Sequence, residues 1–183
     1  GAMQALRAML LCNDSGVSRK GDDWVAQGDP MEAALTVAAI KAGLDPDRES
    51  GHYPRTDLIP FDSAHKFMAT LHHSHEGETY VFVKGAPEQL LRRCATEWSP
   101  NGPAGLDGGR WHDRVEELGS RGYRVLAVAT RTLPDHRVEL NFSDVDQDLT
   151  FLGLYGLIDP PRPEAIEAVS TCQRAGIRVK MIT

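Results

Sequence analysis

The pattern of apolar and polar residues along the chain predicts strands and helices in short segments. Met68–His73, Tyr80–Val83, Tyr123–Thr130 and Leu149–Leu157 are rich in apolar, β-branched and aromatic residues, which is typical of strands. Tyr80–Val83 is apolar on both faces and is therefore expected to be buried. The turn Glu76-Gly77-Glu78 joins the first two segments and predicts an antiparallel pair. We expect an α+β fold in which an antiparallel β-sheet is flanked by short helices.

Helical periodicity and terminal residues predict five helices. They are Gln4–Cys12, a helix that begins at Pro30 and is ended by Gly43, Pro87–Cys94, Arg110–Ser120 and Glu164–Gly176. The second helix has the clearest start, because Asp29 suits the N-cap, Pro30 the first helical position and Glu32 the third. This spacing is that of a capping box, so Glu32 has a structural explanation as part of the helix cap.

The segments between these elements are predicted to be turns and loops. The turn Asn13-Asp14-Ser15-Gly16 leads into a loose hairpin through Gly21-Asp22-Asp23. Asp45–Asp57 is polar and Glu97–Gly109 is rich in glycine and proline, so both are predicted to be loops. Leu133–Asp148 is predicted to be an acidic, proline-containing excursion from the sheet.

The composition, with 41% hydrophobic and 25% charged residues, is typical of a soluble globular protein. The formal net charge of −6 argues against non-specific nucleic-acid binding, so an anion would have to be bound by local cations. No apolar run is long enough to span a bilayer, no signal-peptide pattern is present, and Gly1-Ala2-Met3 is typical of a cloning remnant. Three widely spaced cysteines, Cys12, Cys94 and Cys172, indicate reduced thiols in a cytosolic compartment.

A candidate binding corner lies where the buried strand Tyr80–Val83 ends. Lys84 has no acidic neighbour in sequence, and an ammonium group there is costly unless it finds a charge or several acceptors. Gly85 and Ala86 remove side chains where another group would come close, and Pro87 suits the first turn of a helix. Two interpretations remain open on these residues alone: the floor of a pocket, or a turn whose lysine extends to water.

Three further motifs accompany Lys84-Gly85-Ala86-Pro87-Glu88. They are Gly28-Asp29-Pro30-Met31-Glu32, the segment Leu58–Leu71 around Phe61 and Lys66, and Asp159-Pro160-Pro161-Arg162-Pro163. In this order and at these separations, the four motifs resemble the nucleotide-binding (N) domain of P-type cation-transporting ATPases. Met68-Ala69-Thr70-Leu71 and the Asp159 motif are most similar to the calcium-pump-related group of that family. The resemblance extends over most of the chain.

The resemblance implies an adenine site. It implies that adenine stacks on the Phe61 ring, an interaction worth about 1–3 kcal/mol, and that the Glu32 carboxylate contacts the adenine amino group. It also implies that Met68 and Leu126 line the adenine slot. Two alternatives remain open: Phe61 as an anchor of the hydrophobic core, and Glu32 as a helix cap. Met31 departs from the family, which often has threonine at that position.

The resemblance also implies contacts with the phosphates of ATP. Lys66 would offer its point charge, and Arg124 would reach a phosphate. Lys84 and Gly85, at the corner, are implied as further contacts with ATP. For Arg124, a structural salt bridge remains the alternative. The family often has a second basic residue between the phenylalanine and Lys66, whereas here the neighbour is His65, a weaker cation at pH 7.

The histidines His72, His73 and His75 suggest a metal site, but the pattern favours a different interpretation. On a strand, His73 and His75 lie on one face and His72 lies on the other. Two ligands beside a glycine turn are more typical of a solvated hairpin tip. We therefore predict no metal ligands in this chain.

We expect two parts in the chain. Residues 4–158 form the N domain, and residues 159–183 form a hinge and the truncated start of the phosphorylation (P) domain. The hinge consists of Asp159, Pro160, Pro161 and Arg162, because prolines that lack amide donors cannot continue a sheet. In the last helix Ile166, Val169 and Cys172 are predicted to face inward. We expect a strand at Ile177–Thr183 that lacks its parallel neighbours, so the tail could be disordered, dock non-natively or form a dimer.

The resemblance implies that the chain holds the adenosine of ATP on the cytoplasmic side of a membrane in a cation pump. ATP and Mg²⁺ would be the cofactors, and the partners would be the phosphorylation, actuator and membrane domains. The phosphorylated motif Asp-Lys-Thr-Gly-Thr does not occur in this sequence, so ATP binding without hydrolysis is expected. Two alternatives remain: a non-enzymatic interaction domain with a degenerate pocket, and a soluble phosphotransferase, which the missing motif argues against.

Overall fold

The computed structural model describes residues 1–21, 23–134 and 137–182. The helices are α1 Ala2–Leu11, α2 Pro30–Lys41, α3 Pro46–His52, α4 Pro87–Leu91, α5 Gly108–Ser120 and α6 Pro163–Arg174. The strands are β1 Gly16–Lys20, β2 Asp23–Gln27, β3 Arg55–Asp62, β4 Phe67–His73, β5 Thr79–Gly85, β6 Cys94–Ser99, β7 Gly102–Gly105, β8 Arg124–Leu133 and β9 Leu149–Leu157. In the part of the chain that is described, no helix is long and apolar enough to cross a membrane.

A seven-stranded sheet in the order β3-β4-β5-β8-β9-β6-β7 forms the centre of the fold. Its neighbouring strands are antiparallel except for β6 and β9, which are parallel. Strands β1 and β2 form a separate antiparallel hairpin. The predicted α+β fold with a mainly antiparallel sheet and short flanking helices is therefore confirmed, and the parallel pair is an addition to it.

The two faces of the sheet support separate hydrophobic clusters. One cluster contains Phe67, Val83 and Ala127, and the helix α4 contributes Leu90 to it. The other cluster contains Met68 and Val128 and is covered by α1, which contributes Ala8 and Met9, and by Cys12 directly after that helix. Adjacent residues of one strand thus belong to opposite clusters, as the two-residue period of strands requires.

The predicted loop Asp45–Asp57 is wrong over most of its length. The helix α3 occupies Pro46–His52, and β3 begins at Arg55. The Asp45 carboxylate accepts hydrogen bonds from the backbone N–H groups of Asp47 and Arg48, at 3.0 and 3.1 Å. The same Asp-Pro start that correctly predicted α2 was therefore present here too, and the polar composition of the segment obscured it.

The region that follows Ala86 in the chain also differs from the prediction. The helix predicted at Pro87–Cys94 ends at Leu91, and β6 begins at Cys94. The predicted loop Glu97–Gly109 contains the end of β6 and all of β7. Strand β6 pairs with β9, about 55 residues further along the chain, through Cys94 opposite Leu149. Long-range pairing of this kind leaves no local pattern in the sequence.

The C-terminal segment lies outside both hydrophobic clusters. Helix α6 forms close to its predicted position, but Ile166 is 56% exposed and Val169 is 38% exposed, so the prediction that they face inward is wrong. Cys172 is half-buried. Residues 177–182 form no strand, which contradicts the predicted strand Ile177–Thr183 in the part that is described. Asp22, Asp135, His136 and Thr183, on which other predictions fall, lie outside the described residues.

Candidate functional site

The register of the three central strands brings several predicted site residues to one face of the sheet. Met68 on β4 lies opposite Lys84 on β5, and Lys84 lies opposite Val128 on β8. Directly paired residues of neighbouring strands share a face, and so do residues two positions apart in one strand. Leu126 and Arg124, at two and four positions before Val128, therefore lie on the face of Lys84. This is the face that α1 covers.

Gly85 lies at a close approach of two backbone segments. A Cβ atom at this position would lie 2.5 Å from the Lys66 carbonyl oxygen and 2.5 Å from the Phe67 Cβ atom. The next residue, Ala86, donates its backbone N–H to the Lys66 carbonyl at 2.9 Å. The prediction that Gly85 allows another group to come close is confirmed. That group is the backbone of the protein itself, at the turn that leads into β4.

Lys84 is buried and paired with Glu32. The distance from the Lys84 Nζ atom to the Glu32 Oε1 atom is 2.7 Å, and the two side chains are 6% and 22% exposed. The interpretation in which the lysine extends to water is therefore wrong. The carboxylate that the sequence around Lys84 lacks is supplied by the first turn of α2, 52 residues earlier. A buried ammonium is tolerated only with such a partner.

The Glu32 carboxylate has further donors on its other oxygen. Its Oε2 atom accepts from the Asp14 backbone N–H at 3.2 Å and from the Ser15 hydroxyl at 3.4 Å. The cap of α2 is supplied by Asp29, whose Oδ1 atom accepts from the N–H groups of Met31 and Glu32 at 2.9 and 3.2 Å. The carboxylate of Glu32 is thus directed to Lys84 and to the Asp14-Ser15 turn. The turn was predicted from sequence, but its contact with Glu32 was missed.

Phe61 is 63% exposed, so the alternative in which it anchors the hydrophobic core is wrong. It lies near the end of β3, an edge strand, where Pro60 is tolerated. A bulge lies between the pairs Ile59–Ala69 and Asp62–Phe67. Between these pairs β3 advances by three residues and β4 by two. Strand alternation from Asp62 then assigns Phe61 to the face of Met68 and Lys84.

Lys66 and Arg124 are exposed cations near the same end of the sheet. Lys66 has a left-handed backbone conformation (φ 58°), and its Nζ atom lies 3.4 Å from the Glu88 Oε1 atom, with both side chains more than half exposed. Arg124 begins β8 opposite Leu157. Among the described residues no carboxylate lies within ion-pair distance of Arg124, which contradicts the alternative that it forms a structural salt bridge.

Two apolar residues lie beneath this face. Met68 is 2% exposed and Leu126 is half-buried, and both belong to the cluster under α1. Cys12 lies in the same cluster, and its Sγ atom donates to the Met68 carbonyl at 3.7 Å. Burial raises the pKa of the Cys12 thiol to about 11, so this thiol is protonated near neutral pH. Met68 is thus covered by the protein, whereas Leu126 is partly accessible to solvent.

The three histidines at the end of β4 and in the turn after it have separate contacts. The His72 Nδ1 atom lies 2.8 Å from the Tyr53 carbonyl oxygen, and burial lowers the pKa of His72 to about 4. The His73 Nδ1 atom lies 3.3 Å from the Thr79 hydroxyl oxygen, and the His75 Nε2 atom lies 3.0 Å from the Gly51 carbonyl oxygen. Each ring thus contacts a different neighbour.

A cavity of about 530 Å³ lies elsewhere, between α1, α5 and β9. It is lined by Leu6, Trp111 and Tyr155, and none of the eight predicted nucleotide contacts lines it. Lys66, Lys84, Gly85 and Arg124 instead lie where β4 and β8 begin and β5 ends, and Glu32 reaches Lys84 from α2. Such a position at the end of the sheet suits a ligand that stacks and extends into solvent better than one that is enclosed.

Comparison with known proteins places the chain in a family. A family model described as "P-type ATPase, cytoplasmic domain N" matches residues 1–164. The chain is 45% identical over 181 residues to the cation-transporting ATPase pma1 of Synechocystis, covering 98% of this chain and 20% of that protein. It is 35% identical over 183 residues to a calcium-transporting ATPase of Bacillus subtilis, with the same two coverages. The chain thus spans about a fifth of the length of the curated relatives it matches. The chain belongs to the family of P-type ATPase cytoplasmic N domains.

Proposed function

We propose that this chain binds the adenosine part of ATP and presents the γ-phosphoryl group to an aspartate in another domain of a cation-transporting P-type pump. The observation that carries the proposal is the neutralised Lys84–Glu32 pair on the face to which the exposed Phe61 ring is assigned. An aromatic ring in solvent, beside a polar pair and half-buried apolar residues, suits a purine base. Family membership supports ATP as the nucleotide.

The charges suggest which end of the nucleotide lies where. Lys84 is buried and its charge is balanced by Glu32, so it belongs to the adenine end together with Phe61 and Leu126. Lys66 and Arg124 are exposed at the rim and are the cations available to phosphates. Because the net charge of the chain is −6, these local cations have to supply the attraction.

Mg²⁺ is proposed to accompany the phosphates. Within residues 1–21, 23–134 and 137–182, no group of three or more His, Cys, Asp or Glu side chains is arranged to hold a metal ion. The ion would therefore be held by the triphosphate and by the phosphorylation domain of the pump. Residues 159–162, which form no regular structure, are proposed as the hinge to that domain, and the actuator and membrane domains would be the remaining partners.

Titration of ATP and GTP against the 183-residue chain, followed by NMR, tests the proposal. One stacked ring and a few hydrogen bonds, less the cost of association, predict a Kd between about 10 μM and 1 mM. Shifts should centre on Glu32, Phe61, Lys84 and Leu126. Equal perturbation of the same signals by GTP would disprove the adenine assignment, and absence of any nucleotide binding would favour the interaction-domain alternative.

The Phe61→Ala variant tests the stacking role. We expect ATP affinity to fall about tenfold or more while the melting temperature changes little, because the ring is exposed. Trp24→Ala is the matched control, since Trp24 is an equally exposed aromatic residue (61%) on the separate β1–β2 hairpin. Equal losses in both variants would count against the assignment.

Incubation with Mg·ATP tests whether the chain acts alone. Phosphoryl transfer requires a nucleophile, a metal site and in-line positioning, and the nucleophile motif is missing from this sequence. We expect neither phosphate release nor an acid-stable phosphoprotein. A turnover that persists through purification and disappears in Lys84→Ala would support the phosphotransferase alternative instead.

A further inference from the structure

The turn Asn13–Ser15 follows α1 in the chain and is hydrogen-bonded to the first turn of α2. The Asn13 side-chain amide donates from Nδ2 to the Glu32 carbonyl at 2.9 Å and to the Thr36 hydroxyl at 3.2 Å. Its Oδ1 atom accepts from the Ser15 backbone N–H at 2.8 Å, which closes an Asx-turn. Asn13 therefore fixes the shape of its own turn and ties that turn to the backbone of Glu32.

The same turn contacts the Glu32 side chain. The Asp14 N–H and the Ser15 hydroxyl both donate to Glu32 Oε2, while Lys84 donates to Oε1. Both oxygens of one carboxylate are thus held by donors from two different parts of the chain. A carboxylate offers about four acceptor sites, so three donors restrict its orientation and leave acceptor capacity for a ligand.

Gly28 allows this arrangement. Its backbone has φ +92°, which favours glycine, and a Cβ atom there would overlap the Ser15 hydroxyl. The single Ser15 hydroxyl proton is shared between the Asp29 carbonyl at 3.2 Å and Glu32 Oε2 at 3.4 Å. The glycine of the Gly28–Glu32 motif thus lets the turn approach closely enough to reach Glu32.

We propose that Asn13 and Ser15 are positioning residues that hold the Glu32 carboxylate toward the base and thereby set the preference for a 6-aminopurine over a 6-oxopurine. The inference rests on the proposed function, in which Glu32 contacts the adenine amino group. An amino group donates to a fixed carboxylate, whereas the carbonyl of inosine or guanine at the same position is repelled by it. A carboxylate that is free to turn toward solvent discriminates less between the two.

The test is the ratio of ATP to ITP affinity, measured by calorimetric titration of the 183-residue chain. Asn13→Asp keeps the size and the turn acceptor but removes the amide donor, and Ser15→Ala removes the hydroxyl. Each should lower the ratio about threefold, because the Glu32 carboxylate is then held less firmly toward the base. Ser15→Thr, which keeps a hydroxyl group, should retain the ratio of the unchanged chain. Ser120→Ala is the control, because the Ser120 hydroxyl donates to the Glu117 carbonyl at the end of α5, away from Glu32; its ratio should remain that of the unchanged chain.

The possible failures of the two proposals are distinguishable. If the unchanged chain binds ATP and ITP equally, or if Glu32→Gln leaves the ratio unchanged, the adenine role of Glu32 is wrong and the positioning role falls with it. If Glu32→Gln lowers the ratio but folded Asn13→Asp and Ser15→Ala do not, only the positioning role is overturned. Variants that lose stability, or weaken ATP and ITP binding equally at an unchanged ratio, would also overturn it, since they would show a structural role alone.

Discussion

The centre of the sheet and the C-terminal segment have similar apolar patterns but different surroundings. Strand β5 pairs with β4 on one side and β8 on the other, and Val81 and Val83 are fully buried. Helix α6 has an apolar stripe that includes Ile166 and Val169, yet no residue of the helix is buried. The apolar stripe of α6 therefore predicted a helix, whereas burial requires a complementary surface from another part of the chain.

The comparison also applies to charges. Lys84, in the centre of the sheet, is 6% exposed and needs Glu32, whereas Lys66 at the rim is 54% exposed and its contact with Glu88 is a surface pair. Surface pairs contribute about 0–1 kcal/mol, but removing one partner of a buried pair leaves an uncompensated charge. Identical residue types thus have different roles according to depth.

The largest effect is expected from truncating an apolar side chain in each region. Leu71→Ala, in fully buried β4, should lower the free energy of unfolding by about 2–5 kcal/mol, because it leaves a cavity. Ile166→Ala, in exposed α6, should change it by less than about 0.5 kcal/mol. Urea unfolding of both variants measures the difference. Similar losses would show that α6 is packed in solution.

The next effect concerns the buried ion pair. Glu32→Ala should cost about 3 kcal/mol, because the Lys84 ammonium stays buried without its carboxylate. Lys84→Met should cost less than Glu32→Ala, because the remaining Glu32 carboxylate is 22% exposed and keeps donors from Asp14 and Ser15. Glu88→Ala at the exposed Lys66 should cost about 0.5 kcal/mol or less. The same urea titrations give these values. A larger cost for Lys84→Met than for Glu32→Ala would mean that Lys84 reaches water once unpaired.

His72 should make the stability of the folded chain depend on pH. Its pKa is lowered from 6.5 to about 4 by burial, and its Nε2 atom is buried without a hydrogen-bond partner in the described part of the chain. Protons therefore bind more readily to the unfolded chain, so stability is complete above pH 6.5 and falls as the pH drops toward 4. The loss should reach about 3 kcal/mol.

Unfolding measured between pH 7 and pH 4 tests this dependence. His72→Asn, whose amide can still donate to the Tyr53 carbonyl, should flatten the pH profile. His112→Asn, at an exposed helix position, is the control and should keep the slope of the unchanged chain. If both variants retain the full slope, another group is responsible.

The smallest effect is expected from removing the C-terminal segment. Ending the chain after Ile158 should change the free energy of unfolding by less than about 1 kcal/mol and leave ATP affinity unchanged, because residues 158–182 are exposed apart from half-buried Cys172. Thermal unfolding and nucleotide titration of the shortened chain measure both. Unfolding of the shortened chain would show that the segment belongs to the core and that the boundary at residue 159 is misplaced.

Local patterns predicted most helices and strands of residues 4–158. The strand Leu149–Leu157 was predicted with its observed bounds, and the cap of α2 at Asp29 was predicted from residue type and spacing. The missed helix α3 had a similar start, so that error was one of interpretation. Strand β6 was missed for a different reason, since its pairing with β9 is a long-range contact that no local pattern indicates. Strand β7 pairs with β6 in a local hairpin, and the glycine and proline residues of that segment were interpreted as a loop.

The sequence by itself determined the strands β4, β5, β8 and β9, the close approach at Gly85 and the need of Lys84 for a partner, because conformational preference and the cost of a buried charge are local properties. The tertiary structure decided which carboxylate meets that need, since Glu32 is 52 residues from Lys84 in sequence. It also decided that Phe61 is exposed rather than packed, because the bulge in β3 depends on the register with β4. The burial of α6 could not be decided by its own residues, since an apolar stripe becomes part of a core only when another surface covers it.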